Sequence, residues 1–339
     1  MRVLLNGVGR IGKAILRIAQ EDNSLNIVVI NELNTNLDNI TYAINYDSTY
    51  GKLQDKFIVE NDCIKNSHFN IKILNEKSLR DIDYDDLKID VVIDASGAKV
   101  DVEELKTLSP KAFFLSHPNK NADINVIMGV NEEHLNLDTH KVISTSSCNA
   151  TALLPVLKLI DENYKIICAD IATIHPLLNH QKALDAQCVG SSNREVECSF
   201  EFGRSSTQNI IPSKTTTIDA CALVEGKFNS ALISSNSFRV PTAVVGAINL
   251  TAFVNVETSK EEVIDLCETA QKEQEHKVIH NNHESLVSSD FTQCKHTSII
   301  DHRFTDVKQK KMIKLVLWYD NEWGYASKVV DIVKSVKGF

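Results

Sequence analysis

The chain has 339 residues, 43% of them hydrophobic and 24% charged, with a formal net charge of −9. That acidity excludes non-specific nucleic-acid binding and attraction to an anionic membrane surface, though not a local basic pocket for a small anion. The length exceeds what one core serves, so two domains are expected, and no apolar run approaches the roughly 20 residues of a membrane span.

Residues 2–6 (Arg-Val-Leu-Leu-Asn) read as a short buried strand with no leader before it. Gly7-Val-Gly9-Arg-Ile-Gly12 follows, then Ile11, Ala14, Ile15 and Ile18 at helical spacing. A G-x-G-x-x-G between a strand and a helix is a dinucleotide fingerprint, with the pyrophosphate on the helix N-terminus. A second strand, Ile27–Ile30, ends in Asn31-Glu32. A carboxylate there accepts from an adenosine ribose 2′-OH and repels a 2′-phosphate, so NAD is expected rather than NADP. Residues 40–80 suggest a helix, a loop and antiparallel strands, an excursion from a parallel sheet. Asp90–Gly97 is an apolar strand ending in small polar residues, with Ser96 placed to line a dinucleotide. Strands at 111–118 and 124–129 follow, His117 lying in a strand-end loop.

Lys141–Ser144 is a further strand. After it, Ser147-Cys148 opens a helix with Leu153, Leu154, Leu157 and Ile160 on one face. A thiol at a helix start meets unpaired N–H groups and the positive dipole end, and both favour thiolate. A small apolar residue packed at a strand end is the plainer reading of Cys148, and the rest of the chain decides against it. Beyond it come a strand at 166–175 ending in His175, a long polar connection over 176–215, Phe238-Arg239-Val-Pro-Thr242, a strand at 244–256, a helix near 259–275, a strand at 312–319 and a closing helix. Turns rather than helices flank most of these strands, so a mixed or antiparallel sheet is expected.

The eight cysteines have no C-x-x-C pair and no metal-ligand spacing, so they read as reduced thiols of a cytoplasmic protein, and no metal is expected. His276, His280 and His283 fall at i, i+4 and i+7 near a helix end, where a solvated face is the better reading than a metal site. Asn149-Ala-Thr151 matches a glycosylation pattern with no secretion signal to support it. Asp81–Asp86 looks like a calcium loop only by charge.

These motifs, in this order over the whole chain, resemble the glyceraldehyde-3-phosphate dehydrogenases and their relatives, the erythrose-4-phosphate dehydrogenases. The residues that carry the likeness are Asn6–Gly12, Ile30–Leu33, Tyr46–Gly51, Ser147-Cys148, Thr173–His175, Gln208–Pro212, Phe238–Thr242 and Trp318–Tyr325. Glu32, Leu115–Pro118 and Leu74–Leu79 look closer to the erythrose-4-phosphate branch. The resemblance implies an α/β protein with a Rossmann-type doubly wound parallel sheet at 1–147, completed by the C-terminal helix 322–339. It implies a second, catalytic α+β domain with a mixed or antiparallel sheet at 148–321. It implies a homotetramer that uses NAD, oxidises a small phosphorylated aldehyde and takes inorganic phosphate, or water, as acyl acceptor, in glycolysis. Cys148 would be the nucleophile and His175 the base. Gly7, Gly9, Arg10, Ile11, Gly12, Glu32, Lys77, Ser96, Ser116 and Asn321 would hold the cofactor. Ser147, Asn149, Leu178, His180, Thr215, Thr216 and Arg239 would line the substrate and phosphate sites.

The departures gather at the anion sites. Asn149 stands where the family has threonine, Leu178 and His180 where it has threonine and aspartate, and Thr216 where it has glycine. The loop after His175 is longer than the family's and carries Asn193–Glu197. Glyceraldehyde 3-phosphate is the expected substrate. An erythrose-4-phosphate dehydrogenase, or an NAD-binding paralogue with weak or lost activity, are the alternatives.

Overall fold

The computed structural model describes residues 1–22, 25–34, 36–188 and 199–336. The segment Asn193–Glu197 and the last three positions of the expected closing helix lie outside them. The chain divides into two compact units: residues 1–126, 131–146 and 326–339 form one, and 127–130 with 147–325 the other.

The first unit is built on a nine-stranded sheet in the order 124–125, 142–144, 112–115, 91–94, 2–6, 26–31, 70–74, 63–65, 58–60. All neighbours are parallel down to 70–74, and the last two strands run antiparallel. Val91–Asp94 and Ala112–Leu115 are buried at every position, as strands covered on both faces must be. Apolar runs too short for amphipathic periodicity are therefore the right signature for this sheet. The order reverses around strand 2–6, and ligands bind at such a switch point. The expected excursion is the antiparallel edge at 58–65 together with a short hairpin at 46–52.

The second unit carries a mixed eight-stranded sheet. Ile166–His175 runs parallel to Ile233–Arg239 and antiparallel to Gly246–Val254, which in turn pairs antiparallel with Met312–Tyr319. Helix Cys148–Tyr164 packs on this sheet, with Leu153, Leu154, Leu157 and Ile160 fully buried and Ser298 Oγ donating to the Ala152 carbonyl at 2.7 Å. Helix Lys260–Glu273 is closed by a capping box, in which Ser259 and Glu262 satisfy each other's backbone N–H.

One expectation is corrected. Cys188 is disulfide-bonded, so not every cysteine is a free thiol. His276, His280 and His283 do not share a helix: His280 lies in strand Ile279–Asn282, where the period is two and helical spacing has no meaning. His283 pairs with Glu268 at 3.1 Å and stacks on His302. No group of side chains among the described residues is arranged to hold a metal ion. No helix among them is long and apolar enough to cross a membrane.

Candidate active site

Cys148 is the first residue of its helix because Ser147 is an N-cap. Ser147 is extended, at φ −131° and ψ 159°, and its hydroxyl accepts from the Ala150 N–H at 3.3 Å. The preceding Ser146 turns the chain sharply, with φ +59°. This local geometry follows from strand, serine turn and helix alone. The partners of Cys148 are not local. His175 ends strand 166–175 and Arg239 ends strand 233–239, and the parallel register pairs the two residues directly.

His175 Nε2 lies 3.8 Å from Cys148 Sγ, and His175 is 4% exposed. Its Nδ1 is 2.9 Å from the Pro176 carbonyl, which only accepts. Nδ1 therefore carries the proton, and the Nε2 lone pair faces the sulfur. Burial pushes the Cys148 thiol up to about 11. Arg239 and the backbone N–H groups of Asn149 and Cys148 pull the other way and lose. Burial, then the Arg239 charge, lower His175 to about 3. Both shifts favour thiol and neutral imidazole in the pair. The helix start favours the anion, and desolvation of the partly buried sulfur opposes it.

Arg239 is the cation of the site. Its Nε and Nη1 are buried without a hydrogen-bond partner, and burial lowers its pKa against the nearby Tyr319 and Cys148. Buried guanidinium donors left open are costly, and a planar fork of this kind suits an oxyanion.

Asn149 is 8% exposed and turned inward. Its Oδ1 accepts from the Tyr319 hydroxyl at 2.7 Å and its Nδ2 donates to Thr217 Oγ1 at 3.1 Å. Thr217 Oγ1 lies 2.6 Å from Thr215 Oγ1. Thr216 is exposed. Leu178 is half-buried, its N–H donating to Gln181 Oε1 at 2.7 Å. His180 is exposed beside the Phe202 ring, 5.9 Å between centroids. Asn321 Oδ1 accepts from the Val245 N–H at 3.1 Å, which leaves its amide N–H groups to donate. Cys148, Asn149, His175, Arg239 and Thr215 thus form one constellation, to which sequence reasoning failed to add Tyr319 and Thr217. Tyr319 stood in a motif already noticed, Trp318–Tyr325, and Thr217 directly follows the noticed Thr215 and Thr216, so the signal was present without a reason to choose them.

In the first unit, Gly7 has φ +87°, and a Cβ there would sit 2.7 Å from the Ser96 Cα. A Cβ at Gly12 would lie 2.0 Å from the Gly7 carbonyl oxygen. Both positions require glycine. At Gly9 a Cβ would meet nothing within 4 Å, so open space remains at the start of helix Arg10–Asp22. A pyrophosphate fits that space. Glu32 Oε2 accepts from the Val8 N–H at 3.0 Å, which holds the carboxylate at the end of its strand. Ser96 Oγ donates to Asp94 at 2.7 Å and the Ser116 N–H to the Asp94 carbonyl at 2.9 Å. Lys77 is exposed nearby in the chain. Arg10 is the exception to a simple cofactor role, since its guanidinium is 2.5 Å from the Asp47 carboxylate.

Residues 1–102 match the NAD-binding domain of the glyceraldehyde 3-phosphate dehydrogenases, and residues 147–321 match their C-terminal domain. Glyceraldehyde-3-phosphate dehydrogenase 1 of Kluyveromyces lactis is 32% identical, the alignment covering 99% of both chains. Glyceraldehyde-3-phosphate dehydrogenase of Chlamydia muridarum is 30% identical over 100% of this chain and 99% of its own. Glyceraldehyde-3-phosphate dehydrogenase 2 of Bacillus subtilis is 29% identical over 99% and 96%.

Proposed function

The chain belongs to the glyceraldehyde 3-phosphate dehydrogenase family, NAD-dependent oxidoreductases acting on an aldehyde group, and from that premise we propose that it converts D-glyceraldehyde 3-phosphate to 1,3-bisphosphoglycerate through Cys148 and His175. The observation that carries the reading is Arg239: two buried, open guanidinium N–H groups beside a cysteine and a histidine whose lone pair faces its sulfur. A phosphorylated aldehyde or inorganic phosphate answers those donors.

Cys148 Sγ adds to the aldehyde carbon, and its proton passes by His175 Nε2 to the aldehyde oxygen, giving a thiohemiacetal. The Cys148 backbone N–H at the helix start supports the developing oxyanion. NAD, when bound, supplies the hydride acceptor that takes the aldehyde hydrogen. His175 Nε2 takes the hydroxyl proton at that stage and leaves a thioester on Cys148. A phosphate oxygen then attacks the acyl carbon, the carbon–sulfur bond breaks, and His175 returns its proton to sulfur. Gly7, Gly9, Arg10, Ile11, Gly12, Glu32, Lys77, Ser96 and Ser116 hold the cofactor in this reading. Asn321 orients the nicotinamide carboxamide. Ser147, Asn149, Leu178, His180, Thr215, Thr216 and Arg239 surround substrate and phosphate. We further propose residues 1–147 with 322–339 as the NAD domain and 148–321 as the catalytic domain, a homotetramer and a cytoplasmic site of action.

Leu178 supports a second reading, oxidation of D-erythrose 4-phosphate, because its side chain offers no hydrogen bond to a substrate phosphate and the erythrose-4-phosphate branch also carries an apolar residue there. NADH formation on the triose and tetrose phosphates, each with and without inorganic phosphate, decides between them. A faster rate on the triose with a clear phosphate requirement is expected. Equal inactivity on both would sink the proposal, and a preference for the tetrose would transfer it to the second reading.

A further inference from the structure

Two donors converge on one end of the Asn149 carboxamide. The Tyr319 hydroxyl donates at 2.7 Å, and the Cys148 thiol at 3.5 Å. The carboxamide oxygen accepts both, and the amide nitrogen faces Thr217 and donates to its Oγ1 at 3.1 Å. Thr217 Oγ1 lies 2.6 Å from Thr215 Oγ1, and either hydroxyl can donate across that contact. Thr215 Oγ1 also accepts the Thr217 backbone N–H at 3.2 Å, so two bonds fix its side chain.

Resting on the proposed function, we propose that Asn149, Thr217 and Tyr319 form a hydrogen-bond relay that positions the Thr215 hydroxyl for the attacking oxyanion. Tyr319, Asn149 and Thr217 are 1%, 8% and 2% exposed, so water does not compete for the links. The three are positioning residues. The side chain that replaces the family's threonine after the cysteine has turned away from the acceptor and acts on it through Thr217. Gly246 makes room for the relay: a Cβ there would lie 2.6 Å from the Tyr319 ring and hydroxyl. The class of ligand is a tetrahedral oxyanion acyl acceptor, inorganic phosphate or arsenate.

The test compares Thr217→Val, which keeps shape and loses the hydroxyl, with Thr217→Ser, which keeps it. One readout is the phosphate concentration for half-maximal NADH formation. The other is protection of Cys148 by inorganic phosphate against iodoacetamide in the NAD-loaded protein, which needs no turnover. An oriented donor to an anion is worth about tenfold. Thr217→Val should therefore need about tenfold more phosphate in both readouts, and Thr217→Ser should stay within about twofold of wild type. Equal phosphate dependence in wild type and Thr217→Val, or equal defects in both variants, overturns the relay. If wild type oxidises neither aldose, the proposed function falls, and the protection assay still decides the relay by the same comparison.

Discussion

Cys148 should alkylate slowly near neutral pH, and the rate should keep climbing well past pH 9. With the thiol pushed up to about 11, only about one molecule in a thousand carries the thiolate at pH 8, against roughly one in four for a free thiol with pKa about 8.5. Reaction of the cofactor-free protein should therefore be about 200-fold slower than that of an unperturbed thiol. The sign follows from burial: a raised thiol pKa favours the protonated form in the fold, so reactivity grows about tenfold per pH unit and levels only near the folded pKa. The assay is iodoacetamide labelling from pH 6 to 10, read at the Cys148 peptide by mass spectrometry, because Cys63, Cys168 and Cys294 are further cysteines that are not fully buried. His175→Ala supplies the cross-check. A neutral imidazole, its pKa lowered to about 3, contributes little to the resting thiol, so labelling should change by less than about threefold while turnover collapses. A labelling rate that is already flat between pH 6 and 8, and that His175→Ala abolishes, would show a thiolate–imidazolium pair and refute the reasoning.

Cys148→Ser should stop NADH formation and leave NAD binding at its wild-type affinity, since Gly7–Gly12 and Glu32 lie in the other unit; fluorescence titration with NAD and a turnover assay together check both halves. Gly246→Ala drives a Cβ into Tyr319 at 2.6 Å, which should cost about 1–3 kcal/mol by denaturant unfolding and raise the phosphate requirement. Asp47 is 2% exposed in its side chain and bridges Arg10 and Lys13. Burial works against its charge, but Lys13, the Tyr50 N–H and Arg10 prevail and hold its pKa below the usual value. Its contribution is then present above the unfolded carboxylate pKa and lost as pH falls below it. Asp47→Ala should cost about 2 kcal/mol, between an exposed and a buried pair, with the difference from wild type shrinking in melts below about pH 4. A difference that is constant with pH would refute the charge account.

What could be read from the chain alone was whatever depends on near neighbours. The glycine pattern between Asn6 and Arg10 specifies its turn because the strand, the turn and the helix are contiguous. Ser147 caps the helix that bears Cys148 for the same reason. The parallel sheet was legible in Val91–Asp94 and Ala112–Leu115, since full burial on both faces leaves an unbroken apolar run. The helical spacing of the histidines at 276, 280 and 283 carried no signal, because spacing has meaning only once the element is known, and His280 lies in a strand.

Three things waited for the tertiary structure. The pairing of His175 with Arg239 depends on the register of two parallel strands far apart in sequence. The inward turn of Asn149 depends on Tyr319, 170 residues away. The protonation of Cys148 depends on how completely protein encloses its sulfur, and desolvation is summed over every surrounding layer. Residue identity and local spacing placed a thiol at a helix start. Only packing set it beside an imidazole and a guanidinium with open donors.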